Sequence, residues 1–256
     1  MMILTDTHTH LYSEEFADDR TEMIQRAINS GVSRFFVPSI DSSYTQKMYD
    51  LQTQFPSAIF LMMGLHPCYV KENFEQELAH VTAQLDLRKF HAIGEIGIDL
   101  FWDKTFLKQQ QYAFKYQIQL AKKHKLAINI HCRDAFDEVF EVLESEKATD
   151  LFGIFHCFTG DFQQAQRAID LNMKLGIGGV VTFKNGKIDQ FLRDIDLKNI
   201  VLETDSPYLA PVPFRGKRNE SGYVKLVAQK VAEIYQLPIE EIAQITTENS
   251  KAIFGI

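Results

Sequence analysis

Two histidines separated by one residue stand close to the start of the chain. His8 and His10 lie in the segment Asp6–His10, which reads DTHTH and follows the apolar pair Ile3-Leu4. Side chains alternate between the two faces of a β-strand, so both imidazoles would point the same way. Two imidazoles on one side can bind one metal ion together. The pair is equally typical of a solvated strand end or of two hydrogen-bonded core histidines, so alone it leaves the choice open.

Further residues of ligand type follow short apolar runs along the chain. They are His66, Glu95, His131, His156 and Asp205. Five of the eight histidines lie at such positions, counting His8 and His10. Imidazoles and carboxylates are the usual ligands of Zn²⁺, Mn²⁺ and similar ions, and a glutamate can bridge two ions through its two oxygens. The pattern indicates a two-metal hydrolase with Glu95 as the bridging residue.

Each of these residues also has a purely structural interpretation. Glu95 could pair with a cation such as Arg133, and His131 and His156 could be buried histidines with satisfied hydrogen bonds. Asp205 could cap the turn that begins at Ser206-Pro207. A non-catalytic binding barrel is a further alternative, but it would have no need of six ligand-type residues at strand ends.

Short apolar runs alternate with helical patterns from end to end. The predicted strands are Ile3–Thr5, Arg34–Pro38, Ala58–Met63, Ala92–Glu95, Ala127–His131, Gly153–His156, Lys174–Ile177 and Ile200–Thr204. The predicted helices are Arg20–Ser30, Ser43–Gln54, Glu75–Leu85, Lys108–His124, Asp134–Glu144, Phe162–Leu171, Ile188–Arg193, Val224–Tyr235 and Ile239–Ile253.

Eight strand–helix units with no break predict one (β/α)₈ TIM barrel domain over residues 1–256, with parallel strands and outer helices. In such barrels the chemistry lies at the carboxyl ends of the strands, where the ligand-type residues fall. The alternative is an open doubly wound sheet. That fold usually has a glycine-rich phosphate loop after its first strand, and Asp6–His10 occupies that place.

Composition restricts the function further. The net charge of −7 argues against broad adhesion to nucleic acid or anionic membranes. It leaves room for an enzyme that binds a phosphate through metal ions, which supply local positive charge. Three cysteines without a C-x-x-C spacing predict a reducing compartment. With no signal-peptide or membrane-spanning pattern, we expect a cytoplasmic protein with no membrane association and no obligatory protein partner.

The motifs, taken in order, resemble those of a known family. They are Asp6–His10 (DTHTH), Gly64–Pro67 (GLHP), Gly94–Asp99 (GEIGID), Ile130–Ala135 (IHCRDA), His156–Gly160 (HCFTG) and Glu203–Leu209 (ETDSPYL). Each is weak alone, but the ordered set resembles the TatD-type metal-dependent deoxyribonucleases, a branch of the amidohydrolase-like barrels. The resemblance covers essentially the whole chain.

The resemblance implies a barrel that holds two divalent cations, zinc, magnesium or manganese. The implied ligands are His8, His10, Glu95 and Asp205 for one ion, and Glu95, His131 and His156 for the other. Glu95 and Asp205 would be the catalytic residues. The implied activity is hydrolysis of phosphodiester bonds in DNA by two-metal activation of a bridging water, as a 3′→5′ exonuclease acting on single strands or ends.

The same residues leave a second activity open. A binuclear barrel of this superfamily could act on a small amide, ester or phosphoester. Related barrels often bridge their ions with a carboxylated lysine on the fourth strand, whereas Ala92–Asp99 contains Glu95 and no lysine. This difference favours the TatD-like branch without fixing the substrate.

Several residues outside the ligand set are candidates to bind substrate. His66, Arg133 and Arg218 could contact phosphates, and solvated loop charge is the competing interpretation for Arg218. Phe101 and Trp102 could stack an unpaired base, with core packing as the alternative.

The chain departs from the family pattern at two positions, and neither is a proposed ligand. Cys68 stands where a second histidine is frequent, and Ser221 stands where proline is common. Without the proline ring, we expect the loop that follows Ser221 to be less rigid.

Overall fold

The computed structural model describes residues 2–256, which contain eight strands in one parallel sheet. Neighbouring strands follow chain order from β1 to β8. The strands are β1 (Leu4–Asp6), β2 (Val32–Pro38), β3 (Ile59–Met63), β4 (Ala92–Asp99), β5 (Ala127–Arg133), β6 (Gly153–Phe155), β7 (Met173–Ile177) and β8 (Ile200–Leu202). All eight predicted strands are therefore present, with boundaries shifted by a few residues.

The first and last strands close the sheet into a barrel. Thr7 N donates to Leu202 O at 3.0 Å, and beyond the ends of the strands Asp205 N donates to His8 O at 3.0 Å. A parallel bridge between Thr9 and Ser206 continues this contact. The predicted (β/α)₈ TIM barrel is confirmed.

Within the described residues 2–256, eight α-helices surround the barrel. They are α1 (Arg20–Asn29), α2 (Thr45–Gln54), α3 (Phe74–Leu87), α4 (Leu107–His124), α5 (Phe136–Ser145), α6 (Phe162–Asp170), α7 (Val224–Tyr235) and α8 (Ile239–Phe254). None of the helices within residues 2–256 is long and apolar enough to cross a membrane.

One predicted helix is wrong. The segment Ile188–Arg193 forms two 3₁₀ turns, Ile188–Gln190 and Leu192–Asp194, instead of an α-helix. Six residues make too few i→i+4 hydrogen bonds to offset the cost of helix nucleation. Buried Ile188 and Leu192 account for the apolar pattern that suggested a helix.

The interior of the barrel is apolar at the amino ends of the strands. Inward side chains from six strands form a cluster there: Phe36, Met62, Ala92, Ala127, Ile154 and Val201. Helix α8 closes this end, because Phe254 stacks on Phe36 with the ring centres 3.6 Å apart. Polar groups are consequently concentrated at the opposite end, where loops of variable sequence can position them on a rigid base.

Candidate metal centre

Glu95 lies at the centre of a buried group of histidines at the carboxyl end of the barrel. The residue is only 1% exposed. On the side of its Oε2 atom, His8 Nε2 lies at 3.2 Å and His10 Nε2 at 3.5 Å. The two histidines therefore point to the same side, as expected from their spacing along the chain.

A second group of imidazoles faces the other oxygen of the same carboxylate. Glu95 Oε1 lies 2.9 Å from His131 Nδ1, 2.8 Å from His156 Nε2 and 3.2 Å from His66 Nε2. The structural alternative for Glu95, a pair with Arg133, does not describe this environment. Five imidazoles are divided between the two oxygens of one carboxylate, as a bridging ligand requires.

Asp205 joins the Oε2 side of this cluster. Its Oδ1 atom lies 3.4 Å from His10 Nε2 and 3.7 Å from His8 Nε2. The carboxylate faces the imidazoles, so capping of the following turn is not its main contact. All six predicted ligands thus lie together, and their assignment to two particular ions stays a prediction.

A second polar group orients each ring on the Oε2 side. His8 Nδ1 lies 2.7 Å from the side-chain oxygen of Asn129, which can only accept, so Nδ1 carries the proton. His10 Nδ1 lies 2.9 Å from the hydroxyl of Tyr12. For His8 this leaves the Nε2 lone pair directed at the centre, as metal coordination by a neutral imidazole requires.

Two of the three rings on the Oε1 side, His131 and His156, have carboxylates behind them. Asp99 Oδ2 accepts from His131 Nε2 at 2.8 Å, so Nδ1 is the ring atom that faces the centre. Glu203 Oε1 lies 3.5 Å from His156 Nδ1. Carboxylate–histidine pairs of this kind fix the ring orientation in metal sites and raise the basicity of the ligand.

These four orienting residues are not among those predicted from the sequence. Asn129 and Tyr12 each lie two positions from a ligand on the same stretch of chain, and Glu203 lies two positions before Asp205. Asp99 ends β4, the strand that carries Glu95. Alternation along a strand returns every second side chain to the same face, so polar residues two positions from a ligand were the available signal.

Glu203 is accommodated because the neighbouring strand β7 has a glycine beside it. It is completely buried, and Cys157 N donates to its Oε1 at 2.7 Å. A side chain at Gly176 on β7 would overlap Oε2 of Glu203. The absence of a side chain at Gly176 leaves the space that this buried carboxylate occupies.

The cluster fits divalent cations. Glu95 Oε2 is buried and accepts no hydrogen bond from the part of the chain that the structure describes. A buried carboxylate oxygen without a partner is costly, and a bound cation would remove that cost. The donors are imidazole nitrogens and carboxylate oxygens, which suit Zn²⁺ and Mn²⁺.

The imidazoles around Glu95 keep its carboxylate ionised. Burial alone would raise its pKa, but the imidazoles of His66, His156 and His8 hold the pKa well below its usual range. Burial acts on His156 in the opposite direction, yet Glu95 and Glu203 raise its pKa well above the usual value. Binding of a cation at such a centre would compete with protons on the imidazoles and would therefore depend on pH.

His66 differs from the other imidazoles of the cluster. Its Nδ1 accepts a hydrogen bond from Cys68 N at 3.0 Å, and burial lowers its pKa. A neutral ring with an accepting Nδ1 carries its proton on Nε2. His66 accordingly presents an N–H donor to the centre, which suits a bound anion better than a metal ion.

The two arginines predicted to bind substrate lie in different surroundings. Arg133 is exposed, and its guanidinium lies 3.8 Å from the centre of the Phe101 ring. Arg218 is paired with Asp19 at 2.6 Å and with Glu220 at 3.1 Å. Binding of substrate phosphate by either stays a prediction, and Arg218 would have to exchange an existing partner.

Ser221, one of the two departures from the family pattern, is buried. Its hydroxyl lies 3.0 Å from the hydroxyl of Thr9, between the two histidines of the opening motif. Thr9 also contacts the hydroxyl of Ser206 at 2.7 Å. The hydrogen bond with Thr9 fixes the position of the Ser221 side chain, whereas a proline ring would restrict the backbone φ angle.

The family model described as TatD related DNase matches residues 5–255. Among similar proteins, the metal-dependent hydrolase YabD of Bacillus subtilis is 40% identical, with 99% of this chain and 100% of YabD aligned. The metal-dependent hydrolase YcfH of Escherichia coli is 32% identical over 100% of this chain and 97% of YcfH.

Solved structures have the same fold. The TatD homologue YjjV of Escherichia coli superimposes with a TM-score of 0.94 at 29% identity, covering 100% of both chains. The phosphotriesterase homology protein of Escherichia coli, solved with phosphate in its active site, matches with a TM-score of 0.71 at 14% identity, over 99% of each chain, and shows the fold alone. The family match across the chain and the His–Glu–Asp cluster lead to one conclusion: this protein belongs to the TatD-related family of metal-dependent hydrolases.

Proposed function

We propose that this protein hydrolyses phosphodiester bonds in DNA, removing nucleotides from the 3′ end of single strands or from duplex ends. The observation that carries the proposal is the division of five imidazoles between the two oxygens of Glu95. This arrangement suits two divalent cations side by side, which is a common design for phosphodiester cleavage.

His8, His10, Glu95 and Asp205 would hold one ion, and Glu95, His131 and His156 the other. When bound, the ions would polarise the phosphoryl group and lower the pKa of a nearby water. The ions would be zinc, magnesium or manganese, since imidazole and carboxylate ligands suit all three to different degrees.

Two residues of the chain can act on the substrate and the water. Burial would raise the pKa of Asp205, but His10, His156 and His8 lower it, so the residue is ionised and can accept a proton. At 9% exposure it is more accessible than Glu95. His66 would donate its Nε2–H to a phosphoryl oxygen, which places charge stabilisation where negative charge develops.

A nuclease assay with controlled metal content tests the proposal. Chelator-treated protein is given Mg²⁺, Mn²⁺ or Zn²⁺ and a single-stranded oligonucleotide labelled at its 3′ or 5′ end. We expect the 3′ label to appear first as a mononucleotide and the 5′ label to yield a ladder that shortens from the far end. Chelator and Glu95→Ala should both abolish release.

The alternative substrates, small amides, esters and phosphoesters, are tested in the same experiment. Nitrophenyl esters, anilides and phosphoesters are offered to the same metal-loaded protein. Clear turnover of these compounds, with no metal-dependent release of nucleotides, would replace the DNA substrate with a small amide, ester or phosphoester.

A further inference from the structure

Two aromatic rings lie exposed beside the metal centre. Phe101 and Trp102 follow the end of β4 after Leu100 and are 50% and 69% exposed. Core packing, the competing interpretation of these residues, therefore does not explain them. Large aromatic side chains left in water at the mouth of a site are typical of ligand contact surfaces.

A cation lies against these rings. The rings of Phe101 and Trp102 meet edge to face, with centres 4.9 Å apart and planes at 89°. The guanidinium of Arg133 lies 3.8 Å from the Phe101 ring centre and 5.3 Å from that of Trp102. We call Phe101, Trp102 and Arg133 the aromatic platform. Cation–π contact of this kind orders the guanidinium and the rings together.

The platform is tied to the metal centre through one carboxylate. Asp99 Oδ1 accepts from the backbone N–H groups of Phe101 at 3.0 Å and Trp102 at 3.1 Å. Its other oxygen, Oδ2, accepts from the ligand His131. Arg133 lies two residues beyond His131 on the same face of β5, a backbone separation of about 7 Å.

We propose that the aromatic platform binds the unpaired base of the nucleotide next to the phosphate held at the metal centre. The indole of Trp102 stacks on the base, and Arg133 adds a cation beside the strand. This inference rests on the proposed function, because it names the part of a DNA strand that the neighbouring surface recognises.

The charge distribution favours a single-stranded end over long duplex. The chain carries a net charge of −7, which disfavours broad electrostatic binding to the backbone of a duplex. Stacking contributes about 1–3 kcal/mol per base without requiring such a surface. It also requires a base that is free of its partner, as at a single-stranded or frayed end.

Trp102 is the single tryptophan of the chain, so its fluorescence reports on the platform alone. Metal-loaded protein is mixed in a stopped-flow instrument with pentathymidylate or with an abasic pentamer of the same charge, and emission is read before turnover. We expect quenching by pentathymidylate and none by the abasic strand. Equal responses to both strands, or no response to either, would overturn the proposal.

Substrate preference gives a second measurement. The ratio of kcat/KM for pentathymidylate to that for a strand with an abasic 3′ residue should fall on the order of tenfold in Trp102→Ala. Trp102→Phe should restore most of the ratio, because it keeps a stacking face. Tyr112→Ala is the control, since Tyr112 is 55% exposed on the outer helix α4 and packs against Tyr116 and Phe74.

Failure of the platform and failure of the nuclease give different results. Base-specific quenching without cleavage would keep the base site and reject the nuclease. Cleavage with an unchanged preference in Trp102→Ala would keep the nuclease and reject the base site.

Discussion

At the scale of single residues, the candidate metal centre depends on pairs, in which a predicted ligand has a second residue that orients its ring. His8 is oriented by Asn129 and His131 by Asp99, and in both cases the second nitrogen of the ring is left to face Glu95. Such orienting groups are usually worth tenfold to a hundredfold in metal affinity. Replacing them should therefore weaken binding without removing a ligand.

Glu95→Ala should remove most of the bound metal and lower turnover by at least about a hundredfold, since the metal contribution is several kcal/mol. Metal content by mass spectrometry and the oligonucleotide assay check this. Glu233→Ala is the control, because that side chain is 71% exposed on α7. Wild-type turnover in Glu95→Ala would remove Glu95 from the site.

Asp99→Asn should lower the affinity for the ion on the His131 side by about tenfold to a hundredfold. The amide can still accept from the two backbone N–H groups, but its nitrogen cannot accept from His131. Titration with Mn²⁺ measures the change. Asp103→Asn is the matched control on the same loop, where the carboxylate pairs with Lys71 and Thr105. Equal affinities in both variants would contradict the assignment.

At the scale of elements, neighbouring strands are adapted to the buried side chains between them. β7 carries Gly176 where the end of β8 brings in Glu203. The segment after β8 is held by Asn219, whose side-chain amide donates to Thr204 O at 2.7 Å and Tyr208 O at 2.6 Å. The position of Asp205 therefore depends on contacts made by the whole connection to α7.

Gly176→Ala should lower the free energy of unfolding by about 1–3 kcal/mol, because the added methyl group overlaps Glu203 and either the buried carboxylate or the strand must move. Gly222→Ala is the matched control, since a methyl group there meets its nearest atom at an ordinary 3.6 Å. Urea denaturation of both variants measures the difference. Similar stabilities would show that β7 has room beside Glu203.

Asp19 joins the start of α1 to the loop before α7. It accepts from Arg218 at 2.6 Å and from Arg26 at 2.9 Å, and these hydrogen bonds lower its pKa below the ordinary 3.8. A lowered acid pKa stabilises the fold above the unfolded value, and that contribution disappears as pH falls through the folded value. The contribution should thus be complete above about pH 4 and decline in more acidic solution.

Asp19→Asn should destabilise the protein by about 1 kcal/mol at pH 7, a value suited to partly exposed pairs in a network. The difference from wild type should shrink below pH 4. Asp18→Asn, at the exposed neighbouring position, is the control. Thermal unfolding at pH 7 and pH 3 gives both comparisons, and an equal loss at the two pH values would contradict the role of this carboxylate.

At the scale of the whole molecule, the chain separates an apolar end from a polar one. Phe36 and Phe254 close the amino end of the barrel, whereas Glu95 and its imidazoles occupy the carboxyl end. The alternation of short apolar runs and helices predicted this barrel, because each run is a buried strand. The residues of the cluster could be predicted to lie together too, since they stand at the ends of those runs.

Other features could not be predicted because they depend on contacts between distant segments. The pairing of Glu203 with His156 depends on the space beside Gly176, and the hydroxyl contact between Thr9 and Ser221 joins the two ends of the chain. The 3₁₀ turns of Ile188–Asp194 have the apolar spacing of a helix without its length. A sequence pattern shows the periodicity of apolar residues, but it does not show which distant segment each residue contacts.

Anomalous diffraction from crystals soaked in Mn²⁺ tests the central claim, that Glu95 joins two ions, most directly. We expect two peaks, one beside Glu95 Oε2 with His8, His10 and Asp205, and one beside Oε1 with His131 and His156. Each should lie about 2.0–2.2 Å from its Glu95 oxygen, as for oxygen ligands of small divalent ions. A single peak, or two peaks that do not share Glu95, would contradict the account.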